Sequence, residues 1–480
     1  MRLSRALIAA SLTTLLGTSL GTSVQAESLR DIYELALEND ATLKAQQAQY
    51  LAGLEDEKAA LSQLLPQVNA TYSYNDTDTD TISPGILGFD PDGAPIIGNT
   101  FDNTDISVEG YVVSLQQAIF NLPAWFSFQS GKELTKQAEA TFAANQQSLI
   151  VRVVEAYLAV LRSQDNLRAA VAREEAFARQ LEQNRQRFEV GLIAITDVYE
   201  SQAAYDIAVV DRISEENNVA VALENLTVLT GKSHDTLDIL QAGFDAEMPE
   251  PSDRGAWVEF ALANNFNLKA SQYAEEAARQ TAKARRLAHA PTINGTARYE
   301  DFETDGTRFQ DPAGLFLFPP DQEREQMAWG VELSVPLYTG GGLSAERRRA
   351  AQNFNAAREQ RINLTRQTVT DARSLHMTVV NDVARVKARR QAIVSSKSAL
   401  DATRAGYEVG TRNIVDVLNA ENVYFSAIRD YANSRYDYIV NTLRLKEQAG
   451  LLSPEDVIRL DSFLEEPPAP TSSTVVPTTP

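Results

Sequence analysis

Four stretches of the chain alternate apolar and polar residues at a period of two. Val68, Ala70, Tyr72 and Tyr74 oppose Asn69, Thr71 and Ser73. Ile293, Gly295, Ala297 and Tyr299 oppose Asn294, Thr296 and Arg298, and Trp329, Val331, Leu333 and Val335 oppose Gly330, Glu332 and Ser334. Ile106 and Val108 begin a similar alternation in the remaining strand. One apolar face at this period is the signature of a strand between lipid and water, and a half-buried sheet in a soluble protein has the same one.

Elsewhere the pattern is helical. Residues 28–65 and 253–289, rich in Ala, Leu, Gln and Glu, predict one helix each, ending before Pro66 and Pro291. Residues 124–188 and 340–407 contain no proline or turn cluster. At ~1.5 Å per residue each would be a rod roughly 100 Å long. Apolar residues recur along them every seven positions. One stripe is Ala372, Val379, Val386, Ile393, Leu400 and Tyr407; the other is Val153, Val160, Leu167, Glu174, Leu181 and Phe188, with Glu174 the polar exception. Such spacing keeps a seam facing a neighbour along a coiled coil. Helices of this kind fit a free hairpin in solvent or a stave of a hollow helical barrel.

The two stripes are copies, because the chain is a tandem repeat. LALENDATLKAQQAQY (35–50) aligns with FALANNFNLKASQYAE (260–275) at a shift of 225, and residues 153–231 align with their counterparts at a shift of 219. Over 185–231 against 404–450 there are 13 identities in 47 positions, including Gly191/Gly410, Asp197/Asp416 and Gly231/Gly450. The change of shift places insertions around 75–112 and 300–330, which predicts exposed loops there. Each unit reads helix, strand, loop, strand, long helix, turn, helix. The divisions are 1–26, a first repeat over 27–231, a packed linker at 232–252, a second repeat over 253–450, a short helix within 451–464 and a Pro/Thr-rich tail, 465–480, expected to be disordered.

Residues 1–26 have the form of a signal peptide. Arg2 and Arg5 precede an apolar run to Leu20, and Val24-Gln25-Ala26 forms a small-x-small cleavage site before Glu27. The protein is therefore expected to be exported. It has no cysteine, which excludes disulfides, thiol-ligated metal and cysteine nucleophiles. Beyond residue 26 no run of about 18 apolar residues could span a bilayer as a helix. Membrane crossing would fall to strands, and four strands cannot close: about eight is the practical minimum, and open edges in lipid leave backbone amides unpaired. Either the sheet is soluble or several chains share a barrel, as a dimer with eight strands or a trimer with twelve. The formal net charge of −21 disfavours nucleic acid as a partner.

FEVGLIAITDV (188–198) and YEVGTRNIVDV (407–417), the joints VSLQQAIFN (113–121) and VELSVPLYTGG (331–341), and ANSRYDYIVNTLRLKEQAG (432–450) occur in order, mostly in duplicate. Over 27–461 the chain resembles the TolC-like outer-membrane efflux proteins. The resemblance implies a mixed α+β membrane protein, a homotrimer with a twelve-stranded barrel in outer-membrane lipid of a Gram-negative bacterium, four strands per chain. The barrel would continue as a long periplasmic coiled-coil barrel. As implied function it brings an exit duct for small molecules or secreted proteins, worked by a periplasmic adaptor and an inner-membrane efflux pump or ABC transporter. The alternative reading is a soluble periplasmic coiled-coil scaffold.

The duplicated string would then be the hairpin tip at the periplasmic end. Carried over by position, a gating network comprises Thr196, Asp197, Tyr407 and Arg412. Asp416 matches one acidic ring of the lumen, and Asn419 stands where the family carries a second acid. Val190, Gly191 and Leu192, with Val409, Gly410 and Thr411, are the implied adaptor contacts. No phosphate-loop, dinucleotide or nucleophile-elbow motif is found, and His234, His289 and His376 lie in no metal-ligand spacing. They are expected at surfaces or joints. Neither catalysis nor a cofactor is expected.

Overall fold

The computed structural model describes residues 26–311 and 321–467. The expected signal peptide, apart from Ala26, and the tail beyond Pro467 lie outside them. In chain order come α1 (Leu29–Asn39), α2 (Ala41–Gly53), α3 (Glu55–Ser62), β1 (Gln67–Phe89), β2 (Pro95–Phe120), α4 (Leu122–Glu189) and α5 (Ile195–Thr230). They are followed by β3 (Ile239–Leu240), α6 (Arg254–Asn264), α7 (Phe266–Arg286), β4 (Thr292–Asp311), β5 (Gln322–Ser334), α8 (Gly342–Glu408), α9 (Ile414–Gln448), α10 (Pro454–Asp461) and β6 (Leu464–Glu465).

The long helices are present, but the two shorter ones are not single rods. Asp40 ends α1 and starts α2, its carboxylate accepting from the amides of Thr42 and Leu43 at 3.1 and 3.2 Å. At the repeat-equivalent position Asn265 ends α6 and accepts from the Leu268 amide at 2.9 Å. An Asx side chain that bonds nearby backbone competes with the continuing helix, so each predicted helix breaks there. Both breaks are buried and anchored. Arg152 on α4 reaches Asp40 at 2.6 Å, and Asn265 Nδ2 donates to the Gln448 carbonyl at 2.9 Å. Burial opposes the Asp40 charge, yet Arg152 and the two amides hold its carboxyl below the usual range.

The sheet corrects two expectations. Much of 75–112 and of the described part of 300–330 is strand, with β1 and β2 paired from Gln67 and Gln116 to Phe89 and Pro95. Alternation weakens there because both faces carry polar residues, so period alone did not reveal the strands. The four long strands form one antiparallel sheet in the order β1-β2-β4-β5.

Its register places Val68, Leu115, Ala297 and Trp329 in one row and Ala70, Val113, Tyr299 and Met327 in the next, all on one face. The opposite face carries Gln67, Gln116, Thr296 and Gly330, then Asn69, Ser114, Arg298 and Ala328. Ile106 and Val108 fall on this polar side, an odd number of residues from Tyr111, Val113 and Leu115. The apolar rows point into open space; Trp329 is 82% exposed. Along β5 they run from Met327 to Leu333, and on to Val335 and Leu337 beyond it, a height close to the roughly 25 Å apolar band of an outer-membrane barrel.

The main core lies where α1, α4, α5, α9, α10, β3 and β6 meet, around Leu29, Val153, Tyr157, Leu226, Tyr436 and Ile439. From it α4/α5 and α8/α9 project as two antiparallel hairpins. Val153, Val160, Ala372, Val379, Val386 and Leu400 of the stripes are buried. The polar exception also has a partner: Glu174 accepts from Arg212 of α5 at 2.6 Å. His234 is buried at a joint between Thr230 and Glu27, and His376 Nε2 meets the Ser252 carbonyl at 3.1 Å. Among the described residues no helix is long and apolar enough to cross a membrane.

Candidate functional site

Both hairpins reverse in the same way. Gly191 and Gly410 adopt φ of 75° and 79°, where a side chain would be strained. The Leu192 amide donates to the Arg187 carbonyl and the Thr411 amide to the Gly406 carbonyl, each at 2.9 Å, closing the last helical turn. Val190 and Leu192, like Val409, expose most of their surface.

The returning helices start differently. Asn413 caps α9, accepting from the Asp416 amide at 2.8 Å, while the Asp416 carboxylate reaches back to the Asn413 amide at 3.4 Å. Ala194 occupies the equivalent place before α5 and offers no side-chain bond. Arg412 lies 3.8 Å from Asp416 in its own hairpin. Within one chain it forms no ion pair with Asp197 among the described residues. Thr196 Oγ1 lies 3.5 Å from the Asp197 carboxylate. Asn419, a turn beyond Asp416, is exposed.

Tyr407 does cross between the hairpins. Its hydroxyl donates to Asn184 Oδ1 at 3.2 Å, and the Arg187 guanidinium lies over its ring at 5.4 Å. Burial, and then the Asp197 charge, push the phenol above its ordinary value against the opposing pull of Arg187. The hydroxyl therefore stays protonated and able to donate across the neutral range. Beneath it Phe177, Ala208, Ile414, Val417 and Leu418 form a small apolar core joining the hairpins.

Several residues at this site escaped the sequence reading. Asn184 and Ser201 are both fully buried, and Asn184 Nδ2 donates to Ser201 Oγ at 2.6 Å. Arg404 Nη2 donates to Glu421 Oε1 at 2.5 Å, and Glu421 is 1% exposed. The same cross-hairpin position in the first repeat holds Arg185 and Gln202 at 2.6 Å. The 219-residue shift could have flagged that pair, since Arg185 aligns with Arg404. Nothing in the spacing marks Asn184, whose counterpart is Thr403. A groove of about 900 Å³ runs between the hairpins here, lined by Arg179, Gln183, Arg187, Arg404, Tyr407 and Glu421.

An apolar-faced sheet continued by two helices about 100 Å long, each closing a helical hairpin at its far end, describes a protein that strands anchor in a membrane and helices extend beyond it. The family profile described as "Outer membrane efflux protein" matches residues 32–232 and 257–451. The chain is 35% identical to outer membrane protein TolC of Vibrio cholerae over 94% of its length and 96% of that protein. It is 27% identical to the proteases secretion protein PrtF of Dickeya chrysanthemi, covering 95% of each. Its fold is similar to that of the Campylobacter jejuni CmeC outer membrane channel, with a TM-score of 0.69 at 15% identity over 96% of this chain and 98% of that one. The chain belongs to the outer membrane efflux protein family. It is an outer-membrane protein with a periplasmic extension, which removes the soluble-scaffold alternative.

Proposed function

We propose that three copies assemble into one exit duct, each giving four strands to a twelve-stranded barrel and two hairpins to a periplasmic tube. One observation carries this reading: the sheet has an apolar outward face and two unpaired edges, β1 and β5. Unpaired backbone in lipid costs several kcal/mol per group, so the edges require partners of the same kind. A stripe on α5, including Ile207, Val210, Val221 and Val228, is likewise exposed in the single chain and suits a neighbouring copy. Eight strands would make a barrel that its own side chains fill, whereas twelve leave room for solute. The test is the mass of the detergent-solubilised protein: a stable trimer that conducts in planar bilayers supports the duct, and a monomer without conductance rules it out.

In this reading the tips close the duct at rest. Tyr407 ties the hairpins within a chain, while Arg412 is placed to reach Thr196 and Asp197 of a neighbouring copy. Asp416 forms one acidic ring, and Asn419 leaves it single. An adaptor engages Val190–Leu192 and Val409–Thr411 and draws the hairpins apart for an inner-membrane pump. Cargo is a small molecule, a secreted protein or both, since a tube lined by solvated polar side chains selects weakly.

A further inference from the structure

The tip contains a directional chain of hydrogen bonds that the gate assignments above do not include. It starts at the Asp197 carbonyl in the first turn of α5, which accepts from Ser201 Oγ at 2.8 Å. Ser201 Oγ in turn accepts from Asn184 Nδ2 at 2.6 Å. Asn184 Oδ1 then accepts from the Tyr407 hydroxyl at 3.2 Å and from Gln180 Nε2 at 3.1 Å. Asn184 and Ser201 are fully buried, so water cannot substitute for a lost partner. The Asp197 carbonyl obliges the Ser201 hydroxyl to donate towards it, leaving its oxygen free to accept the amide. That sets the amide with its oxygen facing Tyr407: a flipped amide would put Oδ1 against a Ser201 oxygen with no proton left to give, and its N–H against the Gln180 donor.

We infer that Asn184 and Ser201 are positioning residues of the gate: they present a fixed acceptor to Tyr407 and so couple the start of α5 to the end of α8. The inference rests on the gate reading above and adds that Tyr407 acts through Asn184 rather than on the Asp197 carboxylate directly. The second repeat cannot reproduce the relay, because Thr403, Ala420 and Gly406 stand where Asn184, Ser201 and Arg187 stand in the first. The latch therefore has one direction: the first hairpin accepts and the second donates. Beyond the Tyr436–Asp165 bond nearer the core, the hydrogen bonding between the hairpins converges on Tyr407, which Asn184 and Arg187 of the first hairpin both meet.

The test is single-channel recording of the full-length protein from outer membranes, with Tyr407→Phe, Asn184→Leu and the double variant side by side. Loss of a buried hydrogen bond should lower the closed-to-open ratio by about tenfold in each single variant. The double variant should leak no more than either single one, as for two residues acting on one bond. If Tyr407→Phe is silent, the gate reading fails and the relay with it. If Tyr407→Phe leaks while Asn184→Leu is silent or additive, only the relay is overturned. Should Asn184→Leu not reach the outer membrane, Ser201→Ala decides. A leak that Ser201→Thr restores supports the relay, and a tight Ser201→Ala channel sinks it.

Discussion

At residues 187–192 and 406–411 the two hairpins turn with the same backbone hydrogen bonds and the same left-handed glycine. Around that shared turn the side chains diverge. The second hairpin secures itself: Asn413 and Asp416 cap its returning helix, Arg412 lies beside Asp416, and Arg404 holds the buried Glu421. The first has Ala194 where a cap could be, an Arg185–Gln202 clamp that lacks a carboxylate, and the buried Asn184–Ser201 pair turned towards its neighbour. Duplication has thus preserved what the backbone needs and released what the side chains do. A self-contained hairpin can move as a unit, and one with inward acceptors can hold it.

The comparison can be broken at the clamps. Arg404→Ala leaves the Glu421 carboxylate buried and unpaired, so it should destabilise by about 3 kcal/mol. Arg185→Ala strands only an amide and should cost about 1 kcal/mol or less. Thermal unfolding of the two variants measures the difference; equal losses would mean that the hairpins are not electrostatically distinct. Next in size is the proposed gate. Arg412→Ala should raise single-channel conductance several-fold in planar bilayers by freeing the contact between copies, and an unchanged trace would leave Arg412 as a solvated residue beside Asp416.

Smaller effects sharpen the contrast. Asn413→Ala should cost about 1 kcal/mol through loss of the cap, whereas Ala194→Ser should gain about 0.5 kcal/mol by supplying one. Opposite signs in denaturation midpoints would confirm that only one helix start is optimised. The least effect is expected at the proposed acidic ring. Asp416→Asn should reduce cation preference and Asn419→Asp increase it, read as reversal potentials in a salt gradient. If neither moves, Asp416 does not line the constriction.

Much of this architecture is legible in the residues because it repeats and because long periods are hard to mistake. The seven-residue stripes marked both long helices, and even their polar member, Glu174, sits on the seam and meets its hairpin partner. The apolar parity of Val68–Tyr74, Ile293–Tyr299 and Trp329–Val335 matches the sheet, while Ile106 and Val108 mislead because two residues cannot establish a face. The breaks at Asp40 and Asn265 were missed for a different reason: an Asx cap looks like any polar helical residue until the chain turns around it. The site divides in the same way. Gly191, Gly410 and Tyr407 were visible through the duplicated turn, but Asn184 and Ser201 were not.

Periodicity, duplication and turn residues are properties of neighbours along the chain. They alone determined that this protein would carry two long hairpins, two glycine tips and a sheet with one apolar face. Which donor meets which acceptor is a matter of residues far apart in sequence: Asn184 and Tyr407 are separated by 223 positions, and they meet because α4 packs against α9, the hairpin partner of α8, in one register. Only the tertiary structure could decide that, since a hydrogen bond forgives tenths of an ångström and a register slip of one residue moves a side chain by more than one.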